Sequence, residues 1–200
     1  MKKFVCGVLV FVLIMGGALG CAKETVPARG VWDGRTYTNT EAGIRLTIPD
    51  KYVIAGDEQI ITLFEYSENY FDDVKSTQGY VDLFITDQTS RTYIAYVICP
   101  LKGLSPEQYL NHIKANVKTL TIEGEQRNLI YEESYTSILC GKDFACCDYT
   151  PEGIDGYYGT YCYGSVSANV FIQINYLGQS KENLADYLAF FDKASVNDTN

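Results

Sequence analysis

The second half of the chain alternates strand-like stretches with turns, and this pattern restricts the possible folds more than any other feature. The turn residues are Gly141-Lys142 and the segment 152–156. The strand-like stretches between the turns are 128–139, 143–150, 157–164 and 168–176. Because short turns join strands that run in opposite directions, this half of the chain predicts a continuous antiparallel sheet.

The first half adds shorter strands, among them Ile44 to Ile48 with alternating apolar residues and a hairpin around 87–90. Three stretches have helical apolar spacing, and they begin at Asp57, Ser105 and Ser180. The second has the clearest start, because Ser105 can cap the helix, Pro106 follows, and Gln108 completes a capping box. The stretches together predict an α+β fold, a single antiparallel sheet flanked by about three helices in an α/β/α sandwich.

The N-terminal residues 1–20 have the organisation of a secretory signal. Lys2 and Lys3 precede an apolar run that ends in small residues. The apolar run Phe4 to Leu19 is shorter than the roughly 20 residues that cross a bilayer, which disfavours a transmembrane anchor.

The junction Ala18-Leu19-Gly20-Cys21 resembles a bacterial lipobox, although Ala18 stands where the usual pattern has leucine. The resemblance implies that Cys21 is lipidated and becomes the mature N-terminus, anchored to the cell membrane outside the cytoplasm. An ordinary signal peptide, with Cys21 as an unmodified residue, is the alternative. The expected organisation is a signal peptide at 1–20, a lipidated tether at 21–30, one globular domain at 31–194 and a polar tail at 195–200.

Three segments resemble lipoproteins of Firmicutes-type bacteria that carry a Mog1/PsbP-like domain. These are "YTNTEAGIRLTIPDKY", "SPEQYLNHIKANV" and a final hairpin that leads into "KENLADYLAFF". The resemblance covers residues 36–193 and implies an α/β/α sandwich. It also implies a binding or assembly factor without catalytic residues.

The charge of the chain disfavours two kinds of partner. The formal net charge is −9. Residues 1–20 hold two lysines and no acidic residue, so the chain from Cys21 carries −11. This charge argues against nucleic acid and against electrostatic binding to anionic lipid.

The histidine and cysteine pattern does not predict a metal or cofactor site. His112 is the only histidine and is expected at the surface, and the cysteines have no zinc-knuckle spacing. If 143–150 and 157–164 form a hairpin, Cys146 lies opposite Cys162, and the two are candidates for a disulfide. Reduced cysteines buried as small apolar residues are the alternative.

Tyrosine is unusually abundant, with 17 residues. Strand alternation puts Tyr157, Tyr161 and Tyr163 on one face. If that face is exposed, the three rings form an aromatic strip that could bind a protein or a glycan. If it is covered, they belong to the core.

These features predict a membrane-anchored binding module with an unknown ligand, such as an envelope protein. One alternative is an envelope hydrolase that uses carboxylates near 143–155, although no catalytic motif is present. The other is an assembly factor for a surface complex, which requires an exposed apolar surface.

Overall fold

The computed structural model describes residues 28–41, 43–63, 71, 80–87, 92–100, 104–122, 124–139, 141–167 and 170–178. The predicted signal peptide, Cys21, the predicted helix after Ser180 and the polar tail lie outside the described residues. In the described residues, no helix is long and apolar enough to cross a membrane.

The N-terminal part of the domain contains mostly short strands. In chain order, the elements of this part are β1 (Val31–Asp33), β2 (Thr36–Asn39), β3 (Ile44–Thr47), β4 (Val53–Ile54), helix α1 (Asp57–Leu63) and the longer strands β5 (Tyr80–Asp87) and β6 (Thr92–Pro100). The rest of the described chain contains helix α2 (Pro106–Asn116), β7 (Thr119–Ile122), β8 (Glu125–Leu139), β9 (Lys142–Pro151), β10 (Tyr158–Ser167) and β11 (Val170–Gly178). The four strands predicted in the second half are confirmed, as β8 to β11.

The strands form more than one sheet, and the pairs between them are antiparallel. Strands β1, β2 and β3 form a small sheet. The large sheet has the order β4-β5-β6-β11-β10-β9-β8-β7. Strand β8 pairs with β7 only through Glu125–Asn128 and with β9 only from Leu129 onward, so these two ladders do not overlap.

The predicted single sheet flanked by about three helices is therefore wrong. The described residues are mostly β, with two helices, and three strands stand outside the large sheet. The physical reason is local: β1, β2 and β3 satisfy one another's backbone groups through short connections. Gly34, with φ of 59°, forms the first connection in a conformation that glycine adopts without strain.

Helix α2 covers one face of the large sheet. Its capping box is present as predicted: the Ser105 side chain accepts from the Gln108 backbone, and the Gln108 side chain accepts from the Ser105 backbone. Leu110 and Ile113 lie on its buried side. They join an apolar cluster with the strand residues Leu120, Ile122, Ala145, Cys147, Tyr149, Tyr161 and Tyr163. We call this set the α2 cluster.

The opposite face of the same strands is buried as well. Phe144 and Cys146 of β9 are fully buried there, as are Thr160 and Cys162 of β10. Burial on both faces explains why β9 and β10 contain apolar residues in succession instead of alternating polar and apolar ones.

A buried carboxylate joins the small sheet to the large one. Asp82 lies in β5 where the pairing register with β6 shifts, and a bulge of this kind re-aims a side chain. Its carboxylate accepts hydrogen bonds from Tyr37 Oη, from Asn39 Nδ2 at 3.1 Å and from the Gly30 backbone at 3.0 Å. The side chain is completely buried. We call this group of contacts the Asp82 junction.

Arg29 adds a charge to the Asp82 junction and extends it to α1. Its Nε lies 3.3 Å from Asp82, and its two terminal nitrogens each lie 2.8 Å from an Asp57 oxygen. The guanidinium also lies over the Phe71 ring, 3.8 Å from its centre. Both carboxylates therefore balance the charge of Arg29, which positions the end of the predicted tether against the domain.

Candidate functional site

The tyrosine face is not an exposed strip. Tyr161 and Tyr163 are buried in the α2 cluster, and Tyr157 packs against it with part of its surface exposed. Tyr161 and Tyr163 lie on one face of β10, as strand alternation predicts, Tyr157 precedes the strand, and α2 covers this face. Burial raises the pKa of Tyr161 to about 12, so its hydroxyl stays protonated at neutral pH.

The two candidate disulfide cysteines lie opposite each other, as the hairpin predicted. Cys146 and Cys162 are paired across β9 and β10, and both are buried free thiols. Burial raises the pKa of the Cys162 thiol, and Cys146 beside it acts in the same direction. A thiol with a raised pKa is a weak nucleophile at neutral pH. The disulfide itself stays a prediction.

The carboxylates near 143–155 do not converge. Alternation along β9 places Asp143 and Asp148 on opposite faces. Asp148 accepts a hydrogen bond of 3.0 Å from Tyr135, and Glu152 accepts one of 2.8 Å from Asn128. Within the described ranges, no three His, Cys, Asp or Glu side chains are grouped to hold a metal ion. Asp148 is half-buried, whereas Asp143, Glu152 and Asp155 are exposed.

An unpaired sheet edge is the feature best suited to binding. After Asn128, β8 has β9 on one side, and no described strand pairs with it on the other. The first residues of this stretch are partly shielded, because Lys114 Nζ donates to the Glu132 carbonyl at 3.3 Å and a bulge lies between Tyr131 and Ser134. Residues 133–139 follow, and we call them the open edge.

Beyond Glu133, the open edge lacks the charged side chains that usually protect sheet edges. Residues 134–139 read "SYTSIL" and contain no charged side chain. Ile138 is 63% exposed and Tyr135 38% exposed, and Ile130 is exposed just before the bulge. The opposite edge of the large sheet ends instead in the two-residue β4, a short strand that offers little to pair with.

The geometry of the open edge suits an extended polypeptide. In an edge strand, alternate residues direct both backbone hydrogen-bonding groups away from the sheet, where a further strand can pair with them. Tyr135 faces the Cys146 side of the sheet and Ile138 the α2 side, so an added strand would contact apolar surface on both faces. Burial, and after it the nearby Cys162 and Asp148, raises the pKa of Tyr135. The Tyr135 hydroxyl therefore stays protonated and donates its hydrogen bond to Asp148.

Sequence reasoning missed the open edge. It predicted a strand at 128–139 but not which strand would lie beside it, because edge position depends on pairing across the whole sheet. The available signal was a run of strand-forming residues without charge. The same run is typical of a central strand, so it could not show the edge by itself.

No protein-family model matches the chain, and no curated protein matches it. Among solved structures, the chain is similar to cyanobacterial PsbP (CyanoP) from Synechocystis sp. PCC 6803, with 13% identity, a TM-score of 0.48, and coverage of 89% of this chain and 94% of that chain. It is also similar to the extracellular domain of PknH from Mycobacterium tuberculosis, with 13% identity and a TM-score of 0.37. That match covers 71% of this chain and 76% of that chain. The bacterial lipoprotein assignment stays a prediction.

Proposed function

We propose that the protein is an extracytoplasmic, lipid-anchored binding module that takes up an extended segment of another envelope protein along the open edge. The observation that carries the binding role is the stretch 133–139, whose outer backbone groups have no strand partner in the described part of the chain. The sequence around Cys21 supports the anchor.

The choice of an extended peptide follows from the chemistry of the edge. Backbone amides and carbonyls repeat along a strand at the spacing that another strand offers, whereas a sugar or a small ligand matches them at only a few atoms. Tyr135 and Ile138 then select side chains of the incoming strand by contact on the two faces. Because the chain is strongly acidic, we expect a partner segment with neutral or basic flanks.

Site-specific photo-crosslinking in the producing cell tests this binding role. A photoreactive residue at Ile138 should yield a discrete adduct, and mass spectrometry should locate the crosslink in an extended segment of a second envelope protein. Val53 on β4 is the matched control position, because it is also an exposed apolar strand residue. Adducts that are equal at the two positions, or that contain only a second copy of this chain, would overturn the proposal.

Hydrogen exchange then tests the binding mode with the crosslinked segment made as a synthetic peptide. The outward-facing amides among residues 133–139 should exchange at least about tenfold more slowly with the peptide present, since new ladder bonds protect them. The variant Ile138→Lys, which places a charge on the edge, should remove this protection without altering the fold. Unchanged exchange at the open edge in the presence of bound peptide would show that the peptide binds elsewhere.

The anchor has its own test. Mass spectrometry of the N-terminal peptide of the mature protein should find Cys21 as the first residue with a diacylglyceryl group on its thiol. An unmodified Cys21 or an uncleaved signal would refute the anchor and leave the open edge unaffected.

A further inference from the structure

The folded domain holds its own N-terminal end firmly, starting at Ala28. The Ala28 backbone N–H donates to the Glu41 carboxylate at 2.6 Å, and its carbonyl accepts from Asn39 at 3.0 Å. Arg29 and Gly30 follow, both bound to Asp82. Residues 28–30, which the sequence assigned to the tether, are therefore attached to the domain.

This attachment shortens the tether. From Cys21 to Ala28 the chain advances seven residues, which span at most about 25 Å even when fully extended. If Cys21 carries the lipid, Ala28 cannot lie farther than that from the membrane surface. Strand β1, which begins three residues later, is then the part of the domain that is held beside the bilayer.

Strand β1 exposes apolar side chains at this position. Val31 is 68% exposed, and Trp32 is 37% exposed although its ring lies 5.3 Å from that of Tyr37. β1 is an edge of the small sheet, so it has a strand partner on one side only. Tryptophan is the residue enriched at the boundary between lipid and water, because its apolar ring carries one polar N–H group.

The charges around β1 favour apolar contact over electrostatic contact. Arg29 and Arg35, the basic residues on either side of β1 in sequence, are paired, Arg29 with Asp57 and Asp82 and Arg35 with Asp50. Asp33 of β1 and the nearby Glu41 are exposed acidic residues that outweigh the single exposed Arg45 of β3, and they would be repelled by anionic lipid. A zwitterionic or uncharged lipid surface therefore fits this end of the domain.

We infer that the free edge of β1 inserts into the headgroup region of the membrane that holds the lipid anchor, with Val31 and Trp32 entering from its two faces, and so fixes the orientation of the domain. This inference rests on the proposed lipidation of Cys21. The contact adds a second attachment point, which stops the domain from rotating freely about its tether. The rest of the domain is then held in a defined orientation to the membrane.

The single tryptophan of the chain makes the contact directly measurable. The full lipidated protein is reconstituted into phosphatidylcholine vesicles with or without lipids brominated near the headgroup, which quench tryptophan fluorescence at short range. We expect at least about a twofold loss of Trp32 emission with brominated lipid. Replacing a third of the phosphatidylcholine with phosphatidylglycerol should weaken the quenching or leave it unchanged, since the nearby charges are acidic.

The variants Val31→Glu and Val53→Glu form the matched pair. Val31→Glu should reduce the quenching at least about twofold while the protein still floats with the vesicles, and Val53→Glu should leave it unchanged. Unquenched Trp32 in vesicle-bound lipidated protein would overturn the contact but not the anchor. Protein that fails to float with the vesicles because Cys21 is unmodified would overturn both.

Discussion

The Asp82 junction and the α2 cluster hold the domain together by different means. At the junction, one buried carboxylate is surrounded by hydrogen-bond donors from the small sheet and by Arg29. In the α2 cluster, apolar residues of the helix pack against tyrosine rings, such as Tyr149 and Tyr161 with ring centres 4.8 Å apart. Stability at the junction depends on each buried hydrogen-bond donor having an acceptor, whereas stability under α2 depends on close packing of side chains without cavities.

The two regions share one packing device. The ring of Tyr37 covers Gly30 at the junction, and the ring of Tyr149 covers Gly159 beside the α2 cluster. In both places a Cβ atom on the glycine would lie 2.2 Å from the ring. Gly159 and Tyr149 are also direct partners across β9 and β10. In both places the absence of a side chain on the glycine leaves space for the neighbouring tyrosine ring.

The largest expected loss of stability comes from removing the buried Asp82 carboxylate. Asp82→Ala should lower the free energy of unfolding by about 3–5 kcal/mol, because it leaves several buried donors and part of the Arg29 charge without an acceptor. Urea denaturation measures this. Asp50→Ala is the control, since the Asp50 side chain is fully exposed, and it should leave the free energy of unfolding nearly unchanged. If Asp82→Ala cost less than about 1 kcal/mol, the junction would not be held by its polar contacts.

A glycine replacement tests the packing side of the comparison. Gly159→Ala should cost about 1–3 kcal/mol, because the new methyl group forces the Tyr149 ring out of position. The double variant with Tyr149→Leu should cost clearly less than the sum of the two single changes, since the clash is then absent. Strict additivity in chemical denaturation would contradict the proposed ring–glycine contact.

Removing the N-terminal cap of α2 should lower the free energy of unfolding by a smaller amount. Ser105→Ala should cost about 1 kcal/mol, because it removes the side-chain acceptor of the capping box. His112→Ala, at an exposed position on the same helix, should cost less than about 0.5 kcal/mol. A larger loss for His112→Ala than for Ser105→Ala would show that α2 packs through a different face.

The smallest loss of stability is expected for substitution of Asp57, the exposed partner of Arg29. The hydrogen bond from Arg29, together with its charge, lowers the pKa of Asp57 below its usual 3.8. The folded state therefore gains stability from this group above about pH 4, and loses it as the pH falls through the lowered pKa. Asp57→Asn should cost under about 1 kcal/mol at pH 7.

A pH series of urea denaturations distinguishes the ion pair from a general effect of the substitution. The difference between wild type and Asp57→Asn should shrink as the pH falls from about 5 to about 2, because the wild-type carboxylate becomes neutral as well. A difference that stays constant across this range would mean that the charge of Asp57 is not what stabilises the fold.

Sequence patterns predicted those parts of the fold that depend on residues close together in the chain. The Ser105 cap, the strands β8 to β11 and the register that places Cys146 opposite Cys162 each depend on neighbouring residues or on one turn. The small sheet and the open edge were missed because they depend on which distant strands pair. Asp82 did leave a signal, an acidic residue within the apolar run "YVDLFITD", but its donors come from residues about 45 to 50 positions earlier.

Strand β11 determines when the large sheet can form. It lies between β6 and β10, and each of its pairs with β6 joins residues at least 70 positions apart, as with Val170 and Pro100. Without β11 the other strands of the large sheet fall into two groups, β4-β5-β6 and β10-β9-β8-β7. Closing loops of this length is slow. The two groups therefore have to wait for β11, and a chain that leaves the cell N-terminus first would complete its large sheet only after residue 178 has emerged.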